Sequence, residues 1–268
     1  MTRPRLLDLF CGAGGCSVGY ARAGFDVVGV DIESQPRYPF EFHRGDALEF
    51  LIRHGHEFDA IHASPPCQRY SKARHTPGSV GREYPDLLQP TVDALDSIGV
   101  PWVVENVPGA PMPGAAELCG TMFGLRVRRH RLFLGSFLIF SPTNPCRHRS
   151  GDLTVFGHAV QVTGSRGVAY VARSGRTHYR PLRVGAKEGG EAMGIDWMNR
   201  GELSQAIPPA LQNKSSSRGR VIARPSPTPA APARPPSKCG IARRGTRPGG
   251  SPATCTAGDA SPSAGRGS

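Results

Sequence analysis

The sequence lacks any long apolar run. None of its apolar stretches approaches the roughly 20 residues that a membrane-spanning helix needs. The N-terminal stretch MTRPRLLDLF also has too short an apolar region for a signal peptide. We therefore expect a cytosolic (cytoplasmic) protein that does not associate with membranes, and no motif indicates an obligate protein partner.

Cysteine is sparse and irregularly placed. The seven cysteines are odd in number and scattered over 268 residues, which argues against a disulfide framework. No two of them show the CxxC spacing of a zinc site. Cys146 and His148 could be recruited to a metal, but their spacing alone supports this weakly. The sequence thus predicts no metal site.

Acidic residues are almost absent from the C-terminal tail. The formal net charge is +12, but residues 213–268 hold ten Lys/Arg and one acid, which is +9 and leaves +3 for residues 1–212. Overall charge is therefore only weak support for a nucleic-acid partner. The tail is rich in Pro, Ser, Ala, Gly and Arg, a composition that buries too little apolar surface to fold, so we predict that it is disordered.

Short apolar runs alternate with helix-like segments in the first hundred residues, which predicts an α/β fold with a parallel sheet. Residues 87–98 repeat apolar side chains at roughly helical spacing. Five stretches predict strands: RLLDLF, GFDVVGVDIE, the beginning of FHRGDALEFL (followed by a loop and a helix start), FDAIHASPP and VPWVVENVPG. HRLFLGSFLIF is a further β-rich stretch.

The composition divides the chain into four expected parts. Residues 1–140 form the main domain. Residues 141–190 are rich in Gly, Arg, His and Ser and predict a small irregular subdomain. Residues 191–212 return to the main domain, and residues 213–268 form the disordered basic tail.

A glycine-rich turn, DLFCGAGG, follows the first predicted strand and precedes a helix. Such a turn lets backbone N–H groups approach a ligand at a helix N-terminus. The third glycine of the dinucleotide fingerprint is absent, because Ser17 takes its place. Asp31 ends the second strand with Glu33 close by, where carboxylates accept ribose hydroxyls, and Asp46 follows the third strand. This order predicts a nucleoside-containing cofactor.

A candidate nucleophile follows two prolines. Pro65-Pro66 restricts the backbone ahead of Cys67, at the predicted carboxyl end of the fourth strand. Glu105, in ENV, ends the next strand and should emerge at the same edge. Arg129 and Arg131 alternate and so share a face if extended. Taken alone, such a cysteine is more often a buried thiol, such a glutamate a surface acid and such an arginine a solvated side chain. The order in which they occur together is what departs from chance.

The ordered blocks DLFCGAGG, SPPCQ, ENV and RRHRLF resemble those of the C5-cytosine DNA methyltransferases of small bacterial or phage type. ELSQAIPPA is similar to the block that closes the cofactor pocket. The resemblance covers about residues 5 to 210. It implies a Rossmann-like fold that uses S-adenosyl-L-methionine, with residues 141–190 as a small target-recognition region.

The resemblance also implies roles for individual residues. Cys67 would attack C6 of a cytosine swung out of double-stranded DNA, Glu105 would hold or protonate N3, and Arg131 with Arg129 would contact the base carbonyl. The cofactor-binding residues would be Phe10, Gly12, Gly14, Gly15, Asp31, Ile32, Asp46, Ala47 and Gln205. Candidates for phosphate or guanine contacts are Arg147, His148, Arg149, Arg166, Arg173 and Arg176.

Two departures from the family pattern leave alternatives open. Val127 stands where the arginine block usually begins with Gln, and the basic tail replaces an apolar helix after IPPAL. A methyltransferase-like DNA-binding protein with weakened turnover is one alternative. A thiol- or nucleotide-dependent oxidoreductase is another, and an RNA substrate is also compatible with the residues.

Overall fold

A computed structural model of the chain describes residues 2–71, 83–139, 141–142, 145–156, 159–164, 168–171, 176–180 and 182–212. All of these residues belong to one compact unit, Met1–Pro225. Within these ranges no helix is both long and apolar enough to cross a bilayer. The predicted disordered tail, together with Arg166 and Arg173, lies outside the described residues.

A seven-stranded sheet forms the centre of the molecule, in the order β3-β2-β1-β4-β5-β7-β6. Strands β1 to β5 pair in parallel, whereas β7 is antiparallel to both β5 and β6. The strands are β1 Arg5–Leu9, β2 Asp26–Asp31, β3 Glu41–Arg44, β4 Ala60–Ala63, β5 Trp102–Asn106, β6 Ala116–Cys119 and β7 His130–Gly135.

The helices are α1 Gly15–Arg22, α2 Ala47–His54, α3 Leu88–Ile98, α4 Ala186–Met193 and α5 Arg200–Gln205, with 3₁₀ turns at Gly55–Glu57, Gly120–Phe123 and Pro209–Leu211. Helices α1, α2 and α3 lie between β1 and β2, β3 and β4, and β4 and β5, respectively. The five predicted strands and the helix predicted over residues 87–98 occur in the expected order. The Rossmann-like α/β architecture is therefore confirmed.

The strand order places the ligand edge of the sheet. The chain winds outward from β1 through β2 to β3 on one side and through β4 to β5 on the other, so β1 and β4 flank a topological switch point. Ligands of open α/β sheets bind beyond the carboxyl ends of the strands at such a point. Because β7 is antiparallel, its first residues lie at the same edge.

Both faces of the sheet are covered by apolar side chains. Every residue of β4 and β5 is buried, which is typical of parallel strands with helices on both sides. One face packs against α2 and α3 through residues such as Leu51 and Leu95, and the other packs against α1 and the 3₁₀ turn Pro209–Leu211 through Tyr20 and Leu211.

A smaller β structure follows the main sheet. Strands β8 (Leu153–Phe156), β9 (Ala159–Val162) and β12 (Arg183–Val184) form an antiparallel sheet, and β10 (Val168–Val171) pairs with β11 (Thr177–Arg180). A third core packs β8 and β9 against α4 and α5. Since this core includes residues from Val127 to Ala206, it joins parts of the chain that the sequence analysis divided. Those boundaries stay a prediction.

Val127 explains one departure from the family pattern. Its side chain is fully buried in the third core, and its backbone forms a bridge with Leu153 at the start of β8. An amide would have to bury its polar atoms in this position. The valine therefore packs in the core that joins the main sheet to the smaller one.

Residues 206–212 lie directly against α1, the helix that follows the glycine-rich turn. A Cβ added to Gly15 would lie 2.4 Å from the Ile207 carbonyl oxygen, and one added to Gly19 would lie 2.4 Å from the Pro209 carbonyl oxygen. Gln212 also donates from Nε2 to Cys16 Sγ at 3.1 Å. The closing block thus packs backbone to backbone on the helix.

This contact predicts that Gly19→Ala is destabilising. The added methyl group would overlap backbone that cannot rotate away, so we expect the free energy of unfolding to fall by about 2 kcal/mol. Gly45→Ala is the matched control, because a Cβ there meets no atom within 4 Å. Urea titrations of the two variants check this; equal midpoints for Gly19→Ala and Gly45→Ala would contradict the close packing.

Candidate active site

The turn after β1 is held in an unusual backbone conformation. Phe10, Gly12 and Gly14 all have positive φ angles, of 56°, 50° and 85°. Such angles cost little for glycine but are strained for Phe10. Gly12 N donates to Asp31 Oδ2 at 2.9 Å, which ties the turn to the end of β2. The predicted residues Phe10, Gly12 and Asp31 are therefore together at the ligand edge.

Asp31 organises this edge with both carboxylate oxygens. Its Oδ1 accepts from Glu33 N at 2.9 Å while Oδ2 accepts from Gly12. Each carboxylate oxygen can accept a second hydrogen bond, so the group can still receive a hydroxyl. Next to it Ile32 is 65% exposed, an apolar side chain at the surface of the edge. A carboxylate beside an exposed aliphatic group suits a nucleoside, whose ribose is polar and whose base has apolar faces.

Asp46 and Ala47 lie at the same edge after β3, but Asp46 has a structural task. Its Oδ1 accepts from Leu48 N and Glu49 N, both at 2.9 Å, and so caps the N-terminus of α2. Ala47, the first residue of that helix, is buried in the apolar core of the protein. The predicted contact between Asp46 and a cofactor stays a prediction.

Gln205 is exposed at the last position of α5. The next residue, Ala206, has its Cβ 3.3 Å from where a Cβ of Gly15 would lie. Trp197, which the sequence analysis missed, also reaches this region, because its Nε1 donates to the Ala13 carbonyl oxygen at 2.8 Å. The C-terminal segment thus supports the glycine-rich turn, and a direct role of Gln205 stays a prediction.

A buried polar network lies beneath the turn. The Ser17 hydroxyl donates to Asp8 Oδ2 and lies 2.9 Å from the Tyr38 hydroxyl. Asp8 is 1% exposed, and among the described residues its Oδ1 has no hydrogen-bond partner. Burial raises the pKa of Asp8 to about 7. The sequence gave no signal for this network beyond an acid within an apolar strand.

The loop after β4 carries Cys67 and is fixed on two sides. Cys67 O accepts from Tyr70 N at 3.0 Å and from Ser71 N at 2.9 Å, which closes a turn directly behind the thiol. On the other side, Asn106 Nδ2 donates to Pro65 O at 3.0 Å. Since Asn106 ends β5, the two strand ends are joined just ahead of the cysteine.

A histidine that the sequence analysis did not single out supports the same loop. His62 is fully buried in β4, with Nδ1 3.0 Å from the Tyr20 hydroxyl and Nε2 2.9 Å from Ser64 Oγ. Burial lowers its pKa to about 3, so the ring is neutral. The ring links α1 to the residue that precedes Pro65.

Glu105 and Arg131 form an ion pair beside Cys67. Arg131 Nε lies 2.8 Å from Glu105 Oε1, and both side chains are mostly buried. The register explains the pairing, because Glu105 is opposite Phe133 and Arg131 lies two residues earlier on β7. Despite the short distance, Glu105 Oε1 accepts no well-aligned hydrogen bond within the described part of the chain. Its pKa is raised by burial, an effect that Arg131 and Arg129 oppose.

The two charged groups act on the thiol in opposite directions. The pKa of Cys67 is raised, first by burial; Arg131 lowers it and Glu105 raises it. The free protein therefore holds a neutral thiol at neutral pH. Because Arg131 favours the thiolate, any loss of negative charge from Glu105 would make Cys67 easier to ionise.

Arg129, which was predicted to contact the base, binds two backbone carbonyl oxygens. Its Nη1 donates to the Val155 carbonyl oxygen at 3.0 Å and its Nη2 to the Ser204 carbonyl oxygen at 2.7 Å. The side chain is 4% exposed and joins β7 to β8 and α5. This geometry makes it a positioning residue for the strand that carries Arg131, and its predicted contact with a base stays a prediction.

The arginines predicted to contact DNA have separate surroundings. Arg147, Arg149 and Arg176 are exposed. Arg149 N donates to Asp152 Oδ2 at 2.6 Å, and the Arg149 carbonyl oxygen accepts from Arg128 Nη2 at 2.8 Å, so this part of the segment is well anchored. His148 belongs to a different group of side chains, described below.

One family model matches the part of the chain that carries the ligand edge. Residues 4–113 match the family model of the C-5 cytosine-specific DNA methylases. The match covers less than half of the chain. The matched residues contain the glycine-rich turn, Cys67 and Glu105, whereas Arg129 and Arg131 follow them in the chain.

Individual relatives match over limited lengths. The type II methyltransferase M.HgiDI of Herpetosiphon aurantiacus is 29% identical over 133 residues, which is 45% of this chain and 42% of the relative. The type II methyltransferase M.XorII of Xanthomonas oryzae pv. oryzae is 37% identical over 87 residues, 26% of this chain and 20% of the relative. The match thus spans less than half of each relative. The structure of S. pombe Dnmt2 methyltransferase aligns with 78% of this chain and 96% of its own at 12% identity, with a TM-score of 0.48.

Proposed function

We propose that the chain is a DNA (cytosine-5)-methyltransferase that uses S-adenosyl-L-methionine. The observation that carries the proposal is the Glu105–Arg131 ion pair beside Cys67, at the ligand edge of a methylase domain. A nucleophile, an acid and a cation are the three groups that activation of a pyrimidine ring requires. The type II methyltransferase relatives support a role in DNA methylation of the restriction-modification kind.

The proposed reaction begins at the thiol. Cys67 loses its proton and its sulfur bonds to C6 of the cytosine, which makes C5 electron-rich. C5 then takes the methyl group, which S-adenosyl-L-methionine supplies when bound. Loss of the C5 proton to a base and cleavage of the bond between sulfur and C6 release 5-methylcytosine and restore the thiol. The ring must leave the duplex for this, because its C6 is not accessible within the stack.

Glu105 and Arg131 would have different roles: Glu105 would act on the cytosine ring, and Arg131 would act on the thiolate and the base carbonyl. A raised pKa lets the Glu105 carboxyl hold or donate a proton at N3 while negative charge develops on the ring. Arg131, the largest pKa-lowering influence on Cys67, would favour the thiolate and contact the base carbonyl. Arg129 would keep Arg131 in place through its bonds to β8 and α5.

The residues at the edge fit the cofactor. The positive φ of Gly12 and Gly14 brings backbone close to the switch point, and a Cβ on Gly12 would meet no atom within 4 Å, so the turn leaves space there. Asp31 would accept a ribose hydroxyl and Ile32 would pack on the adenine ring. Phe10 would contribute its aromatic face at the end of β1.

Bisulfite sequencing of DNA from cells that express the full chain tests the proposal. We expect protected cytosines within one short recognised sequence in cells with the parent protein and none with Cys67→Ala. This single measurement reports the modified base and the sequence context together. DNA retained by the purified protein without any protected cytosine would instead indicate a DNA-binding protein that has lost turnover, and would overturn the proposal.

A further inference from the structure

Four side chains with metal-binding atoms meet at the end of the sheet opposite to β3, away from the cofactor turn. They are Cys119, His130, Cys146 and His148, here called the Cys₂His₂ cluster, and each offers one ligand atom, all within 4.8 Å of one another. His148 Nε2 lies 2.7 Å from Cys146 Sγ and 3.6 Å from Cys119 Sγ, and His130 Nε2 lies 3.4 Å from Cys146 Sγ. No metal site was expected from the sequence, because no cysteine pair has CxxC spacing and the spacing of Cys146 and His148 alone supports one only weakly.

The fold itself produces the cluster. Cys119 ends β6 and His130 begins β7, and the two are direct partners across this antiparallel pair. Cys146 and His148 come from the segment that leads to β8, and that segment is fixed independently by the hydrogen bond from Arg128 Nη2 to the Arg149 carbonyl oxygen. The β6–β7 pair therefore supplies two of the four ligands, and the segment before β8 supplies the other two.

The donor set and its spacing indicate the ion. Two thiols and two imidazoles are typical of structural zinc, which is tetrahedral, with Zn–S of about 2.3 Å and Zn–N of about 2.0–2.1 Å. In that geometry ligand atoms lie about 3.3–3.8 Å apart. The contacts at 3.4 and 3.6 Å already have this spacing, and the closest pair would separate by about 1 Å.

We propose that the Cys₂His₂ cluster binds one Zn²⁺ that fastens the segment before β8 to the β6–β7 pair. Four protein ligands leave no open position, so the ion is structural rather than catalytic. Binding replaces the protons of both thiols, which pass to solvent, while both imidazoles bind in their neutral form. The exposed Arg147 stands between two ligands, so the ion would also fix the place of this arginine relative to β7.

The neighbouring hydroxyl supports the assignment. Thr121 Oγ1 lies 3.4 Å from Cys119 Sγ and 3.3 Å from Cys146 Sγ. A hydroxyl that can donate to a thiolate stabilises its negative charge and orients it toward a metal.

Metal analysis of the full-length protein, purified without chelator, tests the proposal. We expect one zinc per chain in the parent and at least about fivefold less in Cys146→Ser and in His148→Ala. His148→Cys should keep the zinc, because a thiolate replaces the imidazole as ligand. His56→Ala and the double variant Cys239→Ser/Cys255→Ser are controls that should keep it as well, since His56 is exposed elsewhere and those two cysteines lie in the tail.

Cobalt substitution keeps the test independent of how the variants fold. The parent reconstituted with Co²⁺ should show the intense visible bands of a tetrahedral site together with thiolate-to-cobalt charge transfer. Zinc that stays at the same level in Cys146→Ser, cobalt spectra of a six-coordinate ion, or a disulfide between Cys119 and Cys146 found by mass spectrometry of the unreduced protein would each overturn the proposal.

Discussion

The parent protein is expected to form a stable covalent complex with DNA that carries 5-fluorocytosine at the recognised position, and Cys67→Ser is expected to form none. After the sulfur has bonded to C6 and the methyl group has reached C5, release requires loss of the C5 proton. In 5-fluorocytosine a fluorine atom replaces the C5 hydrogen, and a base cannot remove it as it removes a proton. The ring therefore stays attached to the sulfur. Denaturing gel electrophoresis with S-adenosyl-L-methionine measures the complex directly.

Turnover on ordinary cytosine should fall by about a thousandfold or more in the same variant, because a serine hydroxyl is a far weaker nucleophile at neutral pH. Cys146→Ser is unsuitable as a control because it belongs to the proposed zinc site, so Cys255→Ser in the tail serves instead. A covalent complex that persists in Cys67→Ser, or one that is absent from well-folded parent protein that binds the DNA, would show that position 67 does not supply the nucleophile.

Asp8→Asn is expected to change how stability depends on pH. The pKa of Asp8 rises from 3.8 to about 7 on folding, because the carboxylate is buried without full compensation. The folded state therefore holds a proton that the unfolded state has released, and stability declines as pH rises from about 4 to about 7. One pKa unit corresponds to about 1.4 kcal/mol, so the whole decline amounts to about 4 kcal/mol for this one group.

An asparagine keeps the acceptor for the Ser17 hydroxyl but does not ionise. Between pH 5 and pH 8 the free energy of unfolding of Asp8→Asn, relative to the parent, should therefore improve by about 3 kcal/mol. Urea denaturation at both pH values measures the difference. Asp26→Asn, which alters an exposed acid at the start of β2, should leave it unchanged. If the two variants show the same pH dependence, Asp8 is ionised in the folded protein and the predicted burial penalty does not exist.

The network around Asp8 also connects stability to the cofactor turn. Ser17 lies in the first turn of α1, and Tyr38 packs against both Gly14 and Gly29. A negative charge on Asp8 would therefore lie directly beneath the residues proposed to hold S-adenosyl-L-methionine. The same substitution that stabilises the fold at high pH provides a way to examine whether this charge affects cofactor binding.

The sequence by itself determined the succession of the first five strands along the chain and the residues at their ends. The local patterns are strong here: apolar runs of strand length, glycines in the turn after β1, and two prolines ahead of Cys67. In a parallel sheet the carboxyl ends of neighbouring strands share one edge, so Asp31, Cys67 and Glu105 could be placed together without coordinates. Their order was also enough to suggest the family.

The tertiary structure alone decided what the flanking residues do. Arg129 and Arg131 look equivalent in the sequence, but Arg129, just before β7, binds β8 and α5, whereas Arg131, within β7, pairs with Glu105. The helix-capping role of Asp46 was likewise not evident from the sequence; it satisfies backbone N–H groups at the start of α2.

The Cys₂His₂ cluster shows most clearly where the sequence stops being informative. A zinc site can be recognised from the chain when its ligands follow a local spacing, as in a CxxC pair. Here Cys119 and His130 become neighbours only through the register of β6 and β7, and Cys146 and His148 join them only because a separate segment crosses that edge. Strand register and chain crossing arise from the packing of the whole domain, so no local pattern could reveal them.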